Sequence, residues 1–414
     1  MNISIKNGHL VDPKNGIDAP QDLHIADGRI AGIGQTPAGF TADREIDARG
    51  QVVCPGLIDL SARVPSLEKE LAAAAAAGVT TLVCPPDTRP VLDEPSLVER
   101  LIQRTEALGL SRVLPLGALT RGLEGQTLAS MAGLASAGCV AFTQASQPVT
   151  DLQSLLRAMQ YAATYDFAVW LRPQDHQLAR DGVAHDGEVA ARLGLAGIPV
   201  AAETVAIASL IELAKAAGVR LHLMRLSSAA GVAMVREARA RGVAVTCDVS
   251  IHHLHLIDAD IGFFNAQARF DPPLRSAQDR AALRFALAEG AIQAVCSDHT
   301  PLEADGKQLP FGEAEVGTRG LELLLPLILA WANEDGLSLS RALAPVTSEA
   351  AAILGRSDLG HLGVGAVADV CVFDPRAEWN ITQEAFTPVG RNDPYLNRLM
   401  NGQVKAVIKE GRLL

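Results

Sequence analysis

Thr80-Thr81-Leu82-Val83-Cys84 is a short apolar strand, and the Ala72 to Ala77 run just before it is a good helix former. The same alternation fills the middle of the chain. Val113-Leu114-Pro115-Leu116, Val140-Ala141-Phe142, Ala168-Val169-Trp170-Leu171, Arg220-Leu221-His222-Leu223 and Val243-Ala244-Val245-Thr246-Cys247 are strand-like runs with Ala- and Leu-rich helical stretches between them. After a long loop comes Ala294-Val295-Cys296-Ser297. Strands alternating with helices bury both faces of a parallel sheet, and this series is long enough for an eight-stranded (β/α)₈ barrel. A doubly wound sheet is the alternative, but it accounts poorly for what flanks the series.

Both ends change period. Ile3-Ser4-Ile5, the turn at Asp12-Pro13 and Asp22-Leu23-His24-Ile25 before Asp27-Gly28 are short strands broken by turns. Ala368 to Pro375 and Val404 to Lys409 before Glu410-Gly411 repeat that texture. The expectation is an α/β chain: a TIM-type barrel over residues 53–361 and a small composite β domain built from residues 1–52 and 362–414.

A chain of 414 residues with 48% hydrophobic content can bury a large core. A net charge of -11 and a pI near 5.4, with Lys and Arg scattered, argue against a nucleic-acid groove. No apolar run reaches the roughly 18 residues a bilayer span needs, and Met1 to Lys6 lacks the form of a signal peptide, so a soluble cytoplasmic protein is expected. The six cysteines form no CxxC pair and lie mostly in apolar strand-like runs, as reduced core thiols do.

Pro55-Gly56-Leu57-Ile58-Asp59-Leu60, Asp271-Pro272-Pro273-Leu274-Arg275, Ser297-Asp298-His299-Thr300-Pro301, Pro310-Phe311-Gly312-Glu313-Ala314 and the stretch from Leu359-Gly360 to Pro375 resemble the dihydroorotase family of the amidohydrolase superfamily over nearly the whole chain. The resemblance implies a metal-dependent barrel whose binuclear zinc site opens or closes the ring of dihydroorotate. Catalytic zinc needs at least three protein donors with free lone pairs and one open position. Where the family has His-x-His, this chain has Ser61-Ala62-Arg63; where it has a bridging acid or lysine, Thr143-Gln144; and at two further histidines, Arg172 and Arg225. Asp298, the family's last metal ligand and general base, remains. The family's substrate-binding arginine falls in the shortened Val64-Pro65-Ser66 loop, and its substrate-binding asparagine is replaced by Asp87, which repels an anion.

A rebuilt metal site is considered at His253-Leu254-His255, whose rings would share one face of a continuing strand, but no third ligand stands at suitable spacing. His222 reads as packing, and His299 is a weak general-acid candidate without a metal or nucleophile. Arg63, Arg172 and Arg225 keep positive charge where the dications sat, and at least one should pair with Asp298, since a buried carboxylate needs a cation or a proton. The alternatives are solvated arginines at a barrel mouth or an anion-binding pocket.

The expectation is therefore a chain with no catalytic residue, no metal and no cofactor, its old site marked by Ser61, Arg63, Asp87, Gln144, Arg172, Arg225 and Asp298. The resemblance extends to the inactive dihydroorotase-like subunits that associate with some bacterial aspartate transcarbamoylases. It implies a hetero-oligomer with that enzyme's catalytic chain in pyrimidine biosynthesis. A repurposed enzyme of this fold and a residual dihydroorotase are the other readings.

Overall fold

The computed structural model describes residues 1–303, 305–382 and 392–414, so residues 383–391 of the expected C-terminal β segment lie outside the described residues. Eight strands run parallel in chain order: β1 (Leu57–Asp59), β2 (Val79–Cys84), β3 (Arg112–Ala118), β4 (Ala141–Thr143), β5 (Ala168–Leu171), β6 (Arg220–Leu223), β7 (Val245–Ser250) and β8 (Ala294–Cys296). Each pairs with the next, as in Val169↔Leu221 and Val249↔Val295. They are nearly all buried because helices cover the outer face and side chains fill the inside, giving the (β/α)₈ barrel that the alternating pattern predicts.

The seam between β1 and β8 closes just past the strand ends. Ala62 bridges His299 in parallel, and the Arg63 N–H donates to the His299 carbonyl at 2.9 Å. Beneath that bridge Asp59 is fully buried. Its Oδ1 accepts from the Ser297 N–H at 2.8 Å and the Ser61 N–H at 3.2 Å, and its Oδ2 accepts from the Ser297 hydroxyl. Burial pushes the Asp59 carboxyl up to about 6, against these hydrogen bonds, which favour the anion.

Both termini fold together beneath the barrel. Ile3–Lys6, Leu23–Ala26, Arg29–Ile33 and Arg44–Asp47 make a four-stranded sheet. His9–Asp12, Ile17–Pro20, Val52–Pro55, Val370–Asn380, Leu399–Lys409 and Arg412–Leu413 make a six-stranded one. Ile3, Leu10, Ile25, Val53, Val370 and Val372 form their shared core. Val53, Cys54 and Pro55, placed in the barrel on sequence, belong to this sheet, because Cys54 pairs with Cys371 before Gly56 turns the chain into β1. Arg112 at the start of β3 fastens the two parts, donating to Asp369 at 2.7 Å and to Glu410 at 2.6 Å.

One helix was missed on sequence. Ala277–Ala288 interrupts the expected long loop before β8, started by a capping box in which Ser276 and Asp279 satisfy each other's backbone N–H groups. The Ser-x-x-Asp signal stood in the sequence at the right spacing.

The Asp59 seam gives a stability test. Asp59→Ala strands the Ser297 and Ser61 donors and is expected to cost on the order of 2–4 kcal/mol, read as a lower Tm. Asp59→Asn keeps the shape and an acceptor and should cost less. A carboxyl raised to about 6 when folded takes up protons more readily in the native state than in the unfolded one, so its contribution falls as pH rises from about 4 to about 6. The Tm difference between wild type and Asp59→Asn should shift in favour of the variant across that window; an unchanged difference would contradict the buried, proton-seeking carboxyl.

Candidate functional site

The C-terminal ends of the barrel strands converge on the positions marked in the sequence, and what gathers there is a set of guanidinium–carboxylate pairs. Arg63, just after β1, places Nε and Nη2 at 3.0 and 2.8 Å from Asp87 Oδ2, beyond β2, and Nη1 at 3.0 Å from the Thr300 hydroxyl. Arg172, just after β5, pairs with Asp271. Arg225, just after β6, reaches Asp298, beyond β8, at 2.8 Å through Nη1, while its Nη2 donates to Ser146 Oγ at 3.3 Å. Three arginines thus meet three aspartates one to one.

Their exposure decides against solvated arginines at an open mouth. The Arg225 and Asp298 side chains are 5% and 7% exposed, Arg172 9%, and Arg63 23%. Burial opposes charge on Arg225, yet Asp298 and its neighbours hold the guanidinium above its ordinary value. Burial likewise pushes Asp271 up, but Arg172, with Arg225 and Arg269, holds it below the usual carboxylate range. The charges survive because each is paired.

The backbone at two of these positions is unusual. Arg225 has φ 56° and Asp298 φ 51°, left-handed values that disfavour any residue with a Cβ. A second carboxylate locks the Arg225 turn: Asp248 Oδ1 accepts the Arg225 N–H at 2.6 Å while its Oδ2 meets His222 Nε2 at 3.0 Å. His222 Nδ1 lies 2.8 Å from the Thr246 hydroxyl, so both ring nitrogens are engaged and the residue is packing.

Gln144 and Ser61 are hydrogen-bonded to other groups. Gln144 hydrogen-bonds the Thr120 hydroxyl, with Nε2 and Oε1 at 2.9 and 3.1 Å, and buried Ser61 lies in the Asp59 seam. His299, beside Asp298, accepts from the Gly320 N–H at Nδ1 (3.1 Å), which leaves Nε2 as the donor to Glu70 Oε2 at 2.8 Å. Gly320 has no room for a Cβ, which would sit 2.1 Å from the Ser297 carbonyl, and that closeness brings its N–H to the ring. With both nitrogens committed and the ring 1% exposed, His299 is no free general acid.

The strand continuation weighed for His253-Leu254-His255 is not formed. Ile251–Leu254 is a 3₁₀ turn, not a strand, so the rings do not share a face: His253 Nε2 meets the Pro273 carbonyl at 3.3 Å and His255 Nε2 the Leu327 carbonyl at 2.9 Å. Burial lowers both to about 4. Among the described residues no three His, Cys, Asp or Glu side chains come together as a metal-binding group. The donor set does not fit a zinc pair, because guanidinium groups carry no lone pair for a metal and Asp298 already holds a cation.

Sequence reasoning missed three partners: Asp271, Asp248 and Glu70. Asp271 stood in the quoted Asp271-Pro272-Pro273 motif, but nothing local links it to Arg172, 99 positions away. Glu70 could not be told from a solvated helix residue, and only the fold turns it inward.

Barrel and terminal β domain together give the chain the architecture of an amidohydrolase-type protein. It belongs to the dihydroorotase-like family: it is 42% identical, over 100% of its length and 99% of theirs, to dihydroorotase-like proteins of Pseudomonas aeruginosa and Pseudomonas putida. It is 38% identical, with the same coverage, to a dihydroorotase of Geobacter sp.. The dihydro-orotase-like family profile matches residues 50–230. Among solved structures, L-hydantoinase (dihydropyrimidinase) from Arthrobacter aurescens superposes with a TM-score of 0.87 at 23% identity, covering 99% of this chain and 95% of that one, a likeness of fold. No helix among the described residues is long and apolar enough to cross a membrane.

The Arg225–Asp298 pair predicts a lopsided mutational response. Arg225→Met leaves a buried carboxylate without its cation and is expected to cost roughly 3–5 kcal/mol, whereas Arg225→Met with Asp298→Leu removes both charges and should recover most of that loss. Chemical denaturation of the two variants measures it; equal destabilisation by both would show that the pair is not the stabilising unit.

Proposed function

We propose that this chain is a catalytically inactive dihydroorotase-like subunit that supports the assembly of aspartate transcarbamoylase in pyrimidine biosynthesis. The observation that carries the inactivity is the replacement of the ligand set by paired arginines: Arg63, Arg172 and Arg225 stand at histidine positions, and each is neutralised by an aspartate. Ring hydrolysis of a cyclic amide needs an activated hydroxide and an electrophile on the carbonyl. These residues supply neither, since Asp298 is held by Arg225 and His299 by Glu70.

The relatives at 42% identity carry the name dihydroorotase-like protein and those at 38% the name dihydroorotase, so the names alone point both ways. The donor set favours the first. A barrel complete in all eight strands but without its ligands is explained by service as a rigid partner, and the resemblance to transcarbamoylase-associated subunits names that partner. An interface of that kind buries on the order of 1,000 Å² or more and repeats with the symmetry of the assembly.

Purified chain is expected to carry no stoichiometric zinc and to show no ring closure of carbamoyl aspartate, by elemental analysis and a dihydroorotase assay. Restoring Ser61→His and Arg63→His together should not recover turnover, because the bridge, two histidines and the substrate clamp would still be missing. Zinc that survives dialysis, or turnover in that double variant, would restore the residual-enzyme reading.

Co-expression with an aspartate transcarbamoylase catalytic chain is expected to give one co-eluting assembly in size-exclusion chromatography, with transcarbamoylase activity or assembly that depends on this chain. Separate elution with full activity of the transcarbamoylase alone would overturn the scaffold role and leave a repurposed enzyme as the better reading.

A further inference from the structure

Beside the Arg63–Asp87 pair a cavity of about 440 Å³ opens between the loop after β1, the loop after β2 and the helix Pro95–Leu108. Its size suits a small molecule rather than a water cluster. The helix offers it one face. Leu97, Arg100, Leu101 and Arg104 are spaced i, i+3, i+4 and i+7 and all line the cavity, while Val98 and Thr105, on the flank next to Leu101, are buried.

The lining is strongly cationic for so acidic a chain. Arg63, Arg89, Arg100 and Arg104 stand against a single carboxylate, Asp87. Arg63 already engages Asp87, but Arg89, Arg100 and Arg104 take part in no ion pair among the described residues. Three guanidiniums with unspent donors around an apolar floor match an anion carried on an apolar body, since the planar guanidinium fork fits phosphate or carboxylate oxygens in pairs. Asp87 Oδ1, buried without a partner, adds an acceptor for a hydroxyl or ring N–H of the same ligand.

We infer that this cavity binds a small phosphate monoester carried on an apolar ring, gripped by Arg89, Arg100 and Arg104 with the ring against Leu97 and Leu101. Three unpaired cations favour a dianion over a monocarboxylate. The cationic groups come from the helix and from Arg89, not from the shortened loop where the family's carboxylate-binding arginine would fall. The site stands whether or not the chain acts as a transcarbamoylase partner.

Phenyl phosphate is the probe, titrated calorimetrically into the full chain alongside inorganic phosphate, phenol and benzoate. Saturable binding of phenyl phosphate, at least about tenfold tighter than of any of the other three, is expected. Arg100→Gln with Arg104→Gln should weaken it at least about tenfold while leaving the Tm of the unliganded protein unchanged, because both side chains are exposed. Added salt should weaken binding too. No saturable binding below about 10 mM, equal binding of phenol, or an unaltered affinity in the double variant would overturn the site; benzoate binding as tightly as phenyl phosphate would overturn the preference for a dianion.

Discussion

Charge neutrality at a buried barrel mouth is the constraint on which the rest of this structure turns. Asp298 sits at the end of β8 with 7% of its side chain exposed, where an unpaired carboxylate would be costly. Arg225 reaches it from the end of β6, two strands away, and the same need for compensation recurs at Arg172 with Asp271 and at Arg63 with Asp87. A site lined with carboxylates can be neutralised by metal or by guanidinium. Arg63, Arg172 and Arg225 take the second route, and among the described residues no three His, Cys, Asp or Glu side chains gather as a metal-binding group.

The fold was legible because it rests on local period. Strands such as Thr80 to Cys84 and Ala168 to Leu171 read as apolar runs of the right length, with helical stretches between them, and the broken strands at both ends announced a second domain. Where the reading slipped, the deciding information was a contact or a cap. Val52–Pro55 has the composition of a barrel strand and is claimed by the terminal sheet only because Val370–Phe373 lies beside it. His253 and His255 alternate as strand residues would, but β7 ends at Ser250 and the chain turns there.

The candidate site was legible in its residues and not in its pairings. Arg63, Arg172, Arg225 and Asp298 could be marked by position, and the need of Asp298 for a cation follows from electrostatics alone. Which arginine answers that need is a matter of reach: Arg225 lies 73 positions from Asp298, and Arg63 takes Asp87, 24 positions away. The same holds for Glu70, a helix residue whose inward turn toward His299 closes a gap of 229 positions.

The barrel seam has its own physical account. Hydrogen bonds between protein groups tie the two ends of the barrel sheet together there. Asp59 receives donors from both Ser61 and Ser297, the Arg63 N–H meets the His299 carbonyl, and Glu70 holds the His299 ring from the helix that follows β1. The left-handed turns at Arg225 and Asp298 are over-determined in the same way, the first by Asp248 capping its N–H and the second by the Ser297 hydroxyl accepting the following His299 N–H at 3.1 Å. Because these bonds fix the strand ends independently of the side chains that point into the mouth, Arg63, Arg172 and Arg225 are presented by a backbone that does not depend on their own pairings.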